Sequence, residues 1–398
     1  AIWMMYFNKR TLLWSETMKL KILLLLSTFV LMAATTQAEV QFNGFASIVS
    51  GIDLEDDGNP VGGYSNDTVN NLQDSKVALQ WTADVEDGIR FVGQIMAKGS
   101  GDDGYVLKYD WAYFDFNVGD SGKLKVGKIR VPLYKYSDYL DVGFAYHWAT
   151  PPQIMYSGSF NNVDGVGYQF NFETGALEQS LNLVVGRYQS NDIERVTPFD
   201  LRNFVTVNWS ATMGDHEFNA VYAQADVYFD SAGVAAAATG AGLAGIPAAD
   251  VIVSGDLGQF VGVGYKGTFG DFALITEYKI VTVQDSIIAE EESGGYIAGA
   301  YNMDDYTYHL TYEIGASKAQ TYTQAGGAFQ PTADGVGGDG DASAVTIGVR
   351  KDIGSSSALK VDLTSFTEDA DGLDDNSAPT GKVEKTALVL KVALETMF

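Results

Sequence analysis

Apolar and polar residues alternate with a period of two along most of the chain, which is the pattern of β-strands that have two different faces. The stretch from residue 383 to residue 398 displays this most clearly. Leu390 and Leu394 fall on one side of the alternation, and Lys391 and Glu395 fall on the other. We predict that this stretch is an amphipathic strand.

About sixteen segments carry this alternation. They lie near residues 40–52, 72–83, 89–98, 105–118, 123–129, 163–173, 176–189, 201–210, 216–229, 259–268, 272–284, 295–303, 306–316, 342–353, 359–367 and 383–398. Many short strands without helical patterns between them predict an all-β fold.

The connections between these segments alternate in length. The short ones have a few residues each and begin near Val85, Gly119, Thr174, Ala211, Gly270, Asp304 and Gly354. Most of the others are much longer, and all eight prolines fall among them. Short turns at one end and long loops at the other are typical of a membrane barrel, in which a proline inside a strand would leave a backbone hydrogen bond unmade. We therefore predict a transmembrane antiparallel β-barrel of about sixteen strands.

The beginning of the chain has the pattern of a secretory signal peptide. Met18 is followed by two lysines, then by an apolar run over residues 22–32, and then by small residues that end at Ala38. The apolar run is too short to span a bilayer. We predict a signal peptide at residues 18–38 and an exported barrel at residues 39–398. Residues 1–17 fit no signal pattern, and we attribute them to a translation start placed too far upstream.

The predicted exported domain is strongly acidic. The whole chain has 25 basic and 51 acidic residues, and residues 1–38 hold four of the bases and one of the acids. This leaves 21 bases and 50 acids, a net charge of −29. Such a surface disfavours nucleic acid as a partner, because nucleic acid requires a basic face.

Acidic residues concentrate in four of the long connections, residues 53–71, 230–258, 285–294 and 368–382. These hold seventeen acids against one base, Lys382. We interpret them as solvated loops, and the alternative is that they gather cations or are bridged by divalent ions.

The sequence gives little support to an enzyme or to a cofactor site. It has no cysteine, so disulfides and thiolate metal ligands are excluded. His147, His216 and His309 lack the spacing of metal ligands. His309 and Glu313 share a strand face, but such a pair also suits the lining of a pore. We predict no catalytic residue, no metal site and no cofactor.

The longest patterned connection, residues 130–162, lies between the fifth and sixth strands and reads RVPLYKYSDYLDVGFAYHWATPPQIMYSGSFNN. Its segment Pro132 to Gly143, followed by Pro151 and Pro152, resembles the equivalent loop in porins of marine γ-proteobacteria. With the signal peptide, the sixteen strands and the terminal Phe398, the chain resembles the trimeric general porins of Gram-negative bacteria. That family usually has an aromatic residue two places before the end, where this chain has Thr396.

The resemblance implies that this third loop folds into the lumen, where its acids face basic side chains of the wall. The loop residues concerned are Tyr134, Lys135, Asp138 and Asp141. The wall residues concerned are Lys76, Arg90, Lys108, Lys123 and Lys125. An ion in a narrow pore interacts with nearby charges through little water, so a few residues set its selectivity. The alternative is that these acids only anchor the loop.

Aromatic residues are abundant and have two predicted roles. Those of the third loop either bind sugar rings or, as we favour, pack the loop against the wall: Tyr134, Tyr136, Tyr139, Tyr146 and Trp148. Aromatics near strand ends are expected to face outwards as interfacial girdles: Trp81, Trp111, Tyr113, Trp209, Phe272 and Tyr306.

These observations predict a passive diffusion channel for small hydrophilic solutes and ions in the outer membrane, in contact with outer-membrane lipid and lipopolysaccharide. The acidic excess predicts a mild cation preference, and the resemblance implies a homotrimer. One alternative is a channel of the same fold that is specific for a sugar or an organic acid. Another is a secreted β-sandwich or adhesin without a pore.

Overall fold

The computed structural model describes residues 39–55, 64–66, 68–100, 104–156, 160–189, 199–229, 253–284, 291–318, 322–324, 327–329, 340–373 and 379–398. The predicted signal peptide, the segment upstream of it and parts of all four acidic connections lie outside these residues. No helix in the described ranges is long and apolar enough to cross a bilayer.

Sixteen strands form one closed antiparallel barrel. They are β1 (Val40–Asp53), β2 (Lys76–Glu86), β3 (Ile89–Ser100), β4 (Gly104–Val118), β5 (Gly122–Arg130), β6 (Asn162–Thr174), β7 (Leu177–Gln189), β8 (Phe199–Met213), β9 (His216–Phe229), β10 (Ser254–Phe269), β11 (Phe272–Val283), β12 (Glu291–Met303), β13 (Tyr306–Lys318), β16 (Gly340–Ile353), β17 (Ser357–Leu373) and β18 (Pro379–Met397). Two further strands, β14 (Tyr322–Gln324) and β15 (Gly327–Phe329), pair with each other in a separate two-stranded sheet. The predicted all-β barrel of about sixteen strands is confirmed.

The short connections are tight turns, as the sequence predicts. Gly88 and Gly270 have φ values of 76° and 64°, which glycine adopts without steric cost. One prediction about the long connections is wrong, because Pro379 is the first residue of β18. Proline has no backbone N–H to donate to the neighbouring strand, and the first residue of a strand tolerates this loss.

The barrel closes by pairing its first and last strands. Phe45 lies opposite Met397, and Gly44 and Phe398 exchange two backbone hydrogen bonds of 2.7 and 3.0 Å. A Cβ atom at Gly44 would lie 2.4 Å from the ring of Phe398. The seam therefore requires glycine at this position.

The two faces of the strands differ as a membrane barrel requires. On β13, Leu310 and Tyr312 are 56% and 48% exposed on the outer face, whereas His309, Thr311 and Glu313 are buried on the inner face. β18 repeats this pattern, as predicted. Apolar residues outside and polar residues inside are the arrangement of a barrel in lipid.

The interior is not uniformly polar. The inner faces of β5 to β12 carry apolar side chains that pack with the connection between β5 and β6, including Ile129, Val184, Val221, Ala223 and Phe260. One side of the barrel is therefore filled by a hydrophobic core.

Candidate functional site

The connection between β5 and β6, here called the third loop, comprises residues 131–161, of which 157–159 lie outside the described ranges. It contains two short 3-10 helices, Ser137–Tyr139 and Gly143–Ala145. Successive backbone bonds wind the segment between them, from the N–H of Val142 to the carbonyl of Tyr139 and from the N–H of Ala145 to the carbonyl of Val142. The loop is therefore a compact coil.

Buried carboxylates on the inner wall accept hydrogen bonds from backbone N–H groups of the third loop. Glu277 on β11 accepts from Lys135 at 2.8 Å, and Glu313 on β13 accepts from Ile154 at 2.9 Å. Asp362 on β17 accepts from Ala149 at 2.8 Å. These bonds satisfy loop donors that would otherwise be buried without partners.

Cations on the inner wall, one buried and one largely buried, bind carbonyl groups of the same loop. The amino group of Lys360 on β17 donates to the carbonyls of Gly143 and Trp148 at 2.6 and 2.8 Å. Arg350 on β16 donates to the carbonyls of Phe144 and Tyr146 at 2.6 and 2.8 Å. Wall charges of both signs therefore hold the loop through its backbone.

The third loop reaches strands far apart on the barrel. The amide of Asn208 on β8 donates to the carbonyl of Pro132 at 3.1 Å, and Lys391 on β18 donates to the hydroxyl of Thr150 at 2.8 Å. With the wall residues described above, these hydrogen bonds reach β8, β11, β13, β16, β17 and β18.

The aromatic residues of the third loop pack against each other and against the wall. Tyr134 contacts Phe260 of β10 edge to face, with ring centroids 5.5 Å apart. Tyr136 and Trp148 do the same at 5.9 Å, and both are buried. Burial raises the pKa of Tyr139 to about 12, so its phenol stays neutral. The interpretation of these residues as packing agrees with these contacts.

Asp141 lies in a buried charge cluster. Its carboxylate is 2.7 Å from Arg130 and 3.7 Å from Lys76, and Arg130 is also 3.4 Å from Asp110 on β4. Burial alone would raise the pKa of Asp141, but the nearby positive charges of Arg130 and Lys76 outweigh it and hold that pKa below its ordinary range. Asp141 is therefore ionised.

Asp138 differs from Asp141 although it is only three residues away. Its side chain is exposed, and within the described ranges it makes no ion pair or hydrogen bond. Asp138 is thus an unpaired loop carboxylate that faces water.

The other predicted site residues have varied surroundings. Lys135 is 2.5 Å from Glu217 of β9, which also binds Lys266 at 3.0 Å. Lys125 lies 5.5 Å from the ring centroid of Tyr113. Lys108 is exposed on β4 and Lys123 is half-buried on β5.

Arg90, another predicted wall residue, pairs with Asp84 at 2.9 Å beside a short turn, where both side chains are about half exposed. Of the predicted loop and wall residues, the structure thus brings together Asp141 and Lys76.

The expected outward orientation of Trp111 and Tyr113 is wrong. The register between β3 and β4 shifts because Gln94 lies opposite Trp111 while the next residue, Ile95, lies opposite Tyr109. Asp110 is therefore an extra residue in β4. The shift reverses the phase of the alternation, so that Trp111 lies under Arg130, 5.4 Å from the guanidinium carbon. Tyr113 packs against the hydrophobic core inside the barrel.

A polar recess lies between the third loop and the strands β1, β2, β3 and β18. Its cavity volume is about 270 Å³, and its lining includes Asp74, Lys76, Lys98, Asp141, Gln153 and Glu395. The side chain of Lys98 is exposed. The recess thus presents charges of both signs. No group of three or more possible metal ligands occurs among the described residues.

Three wall residues that bind the backbone of the third loop were not predicted, although each has a signal in the sequence. Glu277, Lys360 and Asp362 occupy inner positions of strands whose outer positions are apolar, and a buried charge at such a place indicates a partner inside the barrel. His147 and His309 are far apart in sequence, yet their ring centroids lie 4.7 Å apart. Only the path of the third loop brings them together.

No protein-family model matches the chain, and no curated protein matches it in sequence. Solved structures do match. The outer-membrane protein OmpT of Vibrio cholerae has a TM-score of 0.55 at 14% identity, and the match covers 92% of this chain and 99% of OmpT. The outer-membrane channel DcaP of Acinetobacter baumannii has a TM-score of 0.56 at 12% identity, with 91% and 97% covered.

An anion-selective porin from Comamonas acidovorans also matches, with a TM-score of 0.56 at 13% identity over 91% of this chain and 100% of the porin. These matches extend over nearly the whole barrel, and at such identities they concern the fold. The chain therefore resembles the Gram-negative outer-membrane porins and has their sixteen-stranded outer-membrane barrel fold.

Proposed function

We propose that this protein is a channel through which small hydrophilic solutes and ions diffuse passively across the outer membrane, and that the third loop constricts it from within. The observation that carries the proposal is the set of bonds from the third loop to the inner side chains of eight separate strands, β2, β8, β9, β11, β13, β16, β17 and β18. A segment can reach inner side chains around so much of a closed cylinder only by lying inside it. A secreted β-sandwich is excluded, because the sheet closes on itself.

The proposed mechanism is size exclusion combined with charge at the constriction. The buried carboxylate of Asp141 is compensated by two cations, so it adds little field to the open path. The exposed charges include Asp138 on the loop and Lys108 on the wall, and the half-buried Lys125 adds a further positive charge to the wall. Solutes pass between groups of opposite sign in a space too narrow for bulk water to screen them fully.

We propose a mild preference for cations. The strong acidic excess of the chain raises the local concentration of cations around it. The wall lysines oppose this effect, so the preference is small. An anion-selective porin has the same fold, so the fold alone does not determine the sign of the selectivity.

We also propose that the protein assembles as a homotrimer in contact with outer-membrane lipid and lipopolysaccharide. A trimer form is described for OmpT of Vibrio cholerae. The apolar outer face supports the lipid contact.

A channel specific for one solute is the second candidate. It is favoured by the recess beside the third loop, where Lys98 and Asp74 offer charges of both signs. A single class of solute that blocks the conductance saturably would support this candidate against general diffusion.

Planar-bilayer recording of the purified protein tests the proposal. We expect discrete conductance steps, in multiples of three for a trimer, and a reversal potential in a salt gradient that indicates weak cation preference. Absence of any conductance from correctly folded protein would overturn the channel. A clear anion preference would overturn the proposed selectivity.

A further inference from the structure

Three rows of inner side chains cross β1, β2 and β3 beside the third loop. The first row is polar and lines the recess: Ser47, Lys76 and Lys98. The second row lies two residues nearer the short-turn end on each strand and is apolar: Phe45, Ala78 and Met96. The third row is polar again: Asn43, Gln80 and Gln94. A solute that moves along this part of the wall must therefore cross an apolar level between two polar ones.

Val142 of the third loop packs against the apolar row. The side chains of this row form a cluster in which Phe45 and Met96 are each only 7% exposed, and Val142 and Met397 pack on it. Met397 lies opposite Phe45, so the apolar level continues onto β18. At this level the third loop and the wall therefore meet through an apolar contact, in contrast to the charged groups of the recess beside it.

The residues on either side of Val142 hold it in place. Asp141 is bound in the buried charge cluster described above. The carbonyl of Gly143 accepts a hydrogen bond from Lys360 at 2.6 Å, and a Cβ atom at Gly143 would overlap the carboxylate of Glu395. The backbone of the loop therefore lies directly on the wall at this point, and Val142 is fixed against the apolar row.

We propose that Val142 is a specificity-determining residue of the channel, and that with Phe45 and Met96 it forms an apolar barrier which excludes hydrated ions from the path along β1, β2 and β3. Removing a charge from water is costly unless other polar groups replace the water. The recess offers such groups, whereas the hydrocarbon and thioether groups of the apolar row do not replace the water of an ion. Narrow apolar constrictions exclude ions because water leaves them.

The inference rests on the proposed channel function, and the experiment separates the two. It is single-channel recording in planar bilayers of the wild type and of the variants V142T and M96Q. Threonine has the shape of valine with a hydroxyl in place of one methyl group, and glutamine has about the length of methionine. Both substitutions therefore make the barrier polar and change its width little.

Two further variants serve as controls. V184T introduces the same buried hydroxyl on the inner face of β7, where Val184 belongs to the hydrophobic core and lies outside the apolar row. V142A shortens the side chain at the barrier but keeps it apolar. Heat-modifiable gel mobility confirms that each variant forms a closed barrel.

We expect V142T and M96Q to raise the mean single-channel conductance about twofold or more, because water and ions then find polar partners at the barrier. V184T should conduct like the wild type. V142A should raise the conductance less than V142T, since it widens the contact without making it polar. Conductance of V142T or M96Q from a wild type that is silent would also support the barrier.

Equal conductance of the wild type, V142T and M96Q would overturn the barrier and leave the channel standing. An increase in V184T as large as that in V142T would also overturn it, because a general loosening of the interior would then be the cause. So would an increase in V142A equal to that in V142T, since width alone would then matter. If V142T does not fold, M96Q decides by comparison with V184T. If neither the wild type nor any folded variant conducts, the channel function itself fails and the barrier with it.

Discussion

The indole N–H of Trp148 donates to the hydroxyl of Thr311 at 2.8 Å, and this bond joins the middle of the third loop to β13. Both side chains are buried. The neighbouring backbone of the loop is held by Asp362 and Lys360 of β17, which bind the N–H of Ala149 and the carbonyl of Trp148. The loop is therefore fixed by many interactions with the wall, so we expect it to behave as part of a rigid barrel.

Replacing Lys360 by methionine should loosen the third loop. Its amino group is the donor to two buried carbonyls, and an unsatisfied buried group costs about 1–3 kcal/mol. We expect a lower midpoint in heat-modifiable gel mobility and noisier single-channel current. An unchanged midpoint and unchanged current noise would show that these bonds do not hold the loop. K318M, at an exposed lysine, is the control.

Replacing Asp141 by asparagine should be strongly destabilising. It leaves Arg130 and Lys76 buried without their carboxylate, and breaking a buried pair in this way costs about 3–5 kcal/mol. The midpoint of thermal unfolding in detergent measures the effect.

The matched control for Asp141 is D84N, which removes the same charge from the exposed pair with Arg90. An exposed pair contributes about 0–1 kcal/mol. If D141N and D84N lowered the unfolding midpoint equally, the buried cluster would not have the role in stability that its geometry indicates.

Replacing Asp138 by asparagine should change selectivity and leave stability within about 0.5 kcal/mol, as for most surface substitutions. The removed charge is exposed and unpaired among the described residues, so no buried partner is left behind. The reversal potential in a salt gradient should shift towards anions, and K125Q should shift it towards cations. Shifts of the same sign in both variants would argue against a charge effect.

Mild acid should weaken the attachment of the third loop through His147. Burial, and after it the imidazole of His309, hold the pKa of His147 well below its ordinary value of 6.5. Lys360, Arg350 and Lys266 act in the same direction. Because the depressed pKa belongs to the folded state, the stabilisation is complete above about pH 6.5 and is lost progressively as the pH falls towards the folded pKa.

The measurement is the thermal midpoint at pH 7 and at pH 5 for the wild type and for H147Q. Asp141 does not contribute in this interval, because its pKa is also depressed and its ordinary value lies below pH 5. We expect the midpoint of the wild type to fall more between the two pH values than that of H147Q. Equal decreases would exclude His147 as the cause.

The strands could be predicted from the sequence because their signal is local. The outer position of Leu310 and the inner position of Glu313 follow from alternation alone, and the same holds for most of the barrel. The phase of β4 could not be predicted, because the extra residue Asp110 is recognised only from its pairing with β3. Trp111 was therefore placed on the wrong face.

The sequence allowed us to predict which residues belong to the candidate site, but not which of them contact each other. Asp141 was expected to face wall bases such as Lys76, and in the structure the two charged groups lie 3.7 Å apart. The closer partner of Asp141, however, is Arg130 at the end of β5. The carboxylates that anchor the loop could be identified as charges at inner positions. Which loop amide each one binds depends on the path of the coil, and the sequence alone does not contain a local signal for it.

The pairing of Gly44 with Phe398 has a consequence for how the protein is made. The two residues that complete the cylinder stand at opposite ends of the barrel domain, so the last seam forms between the most distant parts of the chain. Contacts of such long sequence separation form late and slowly. Until β18 arrives, β1 exposes a free edge that could pair with another chain, and a partner that shields that edge during export would raise the yield of folded protein.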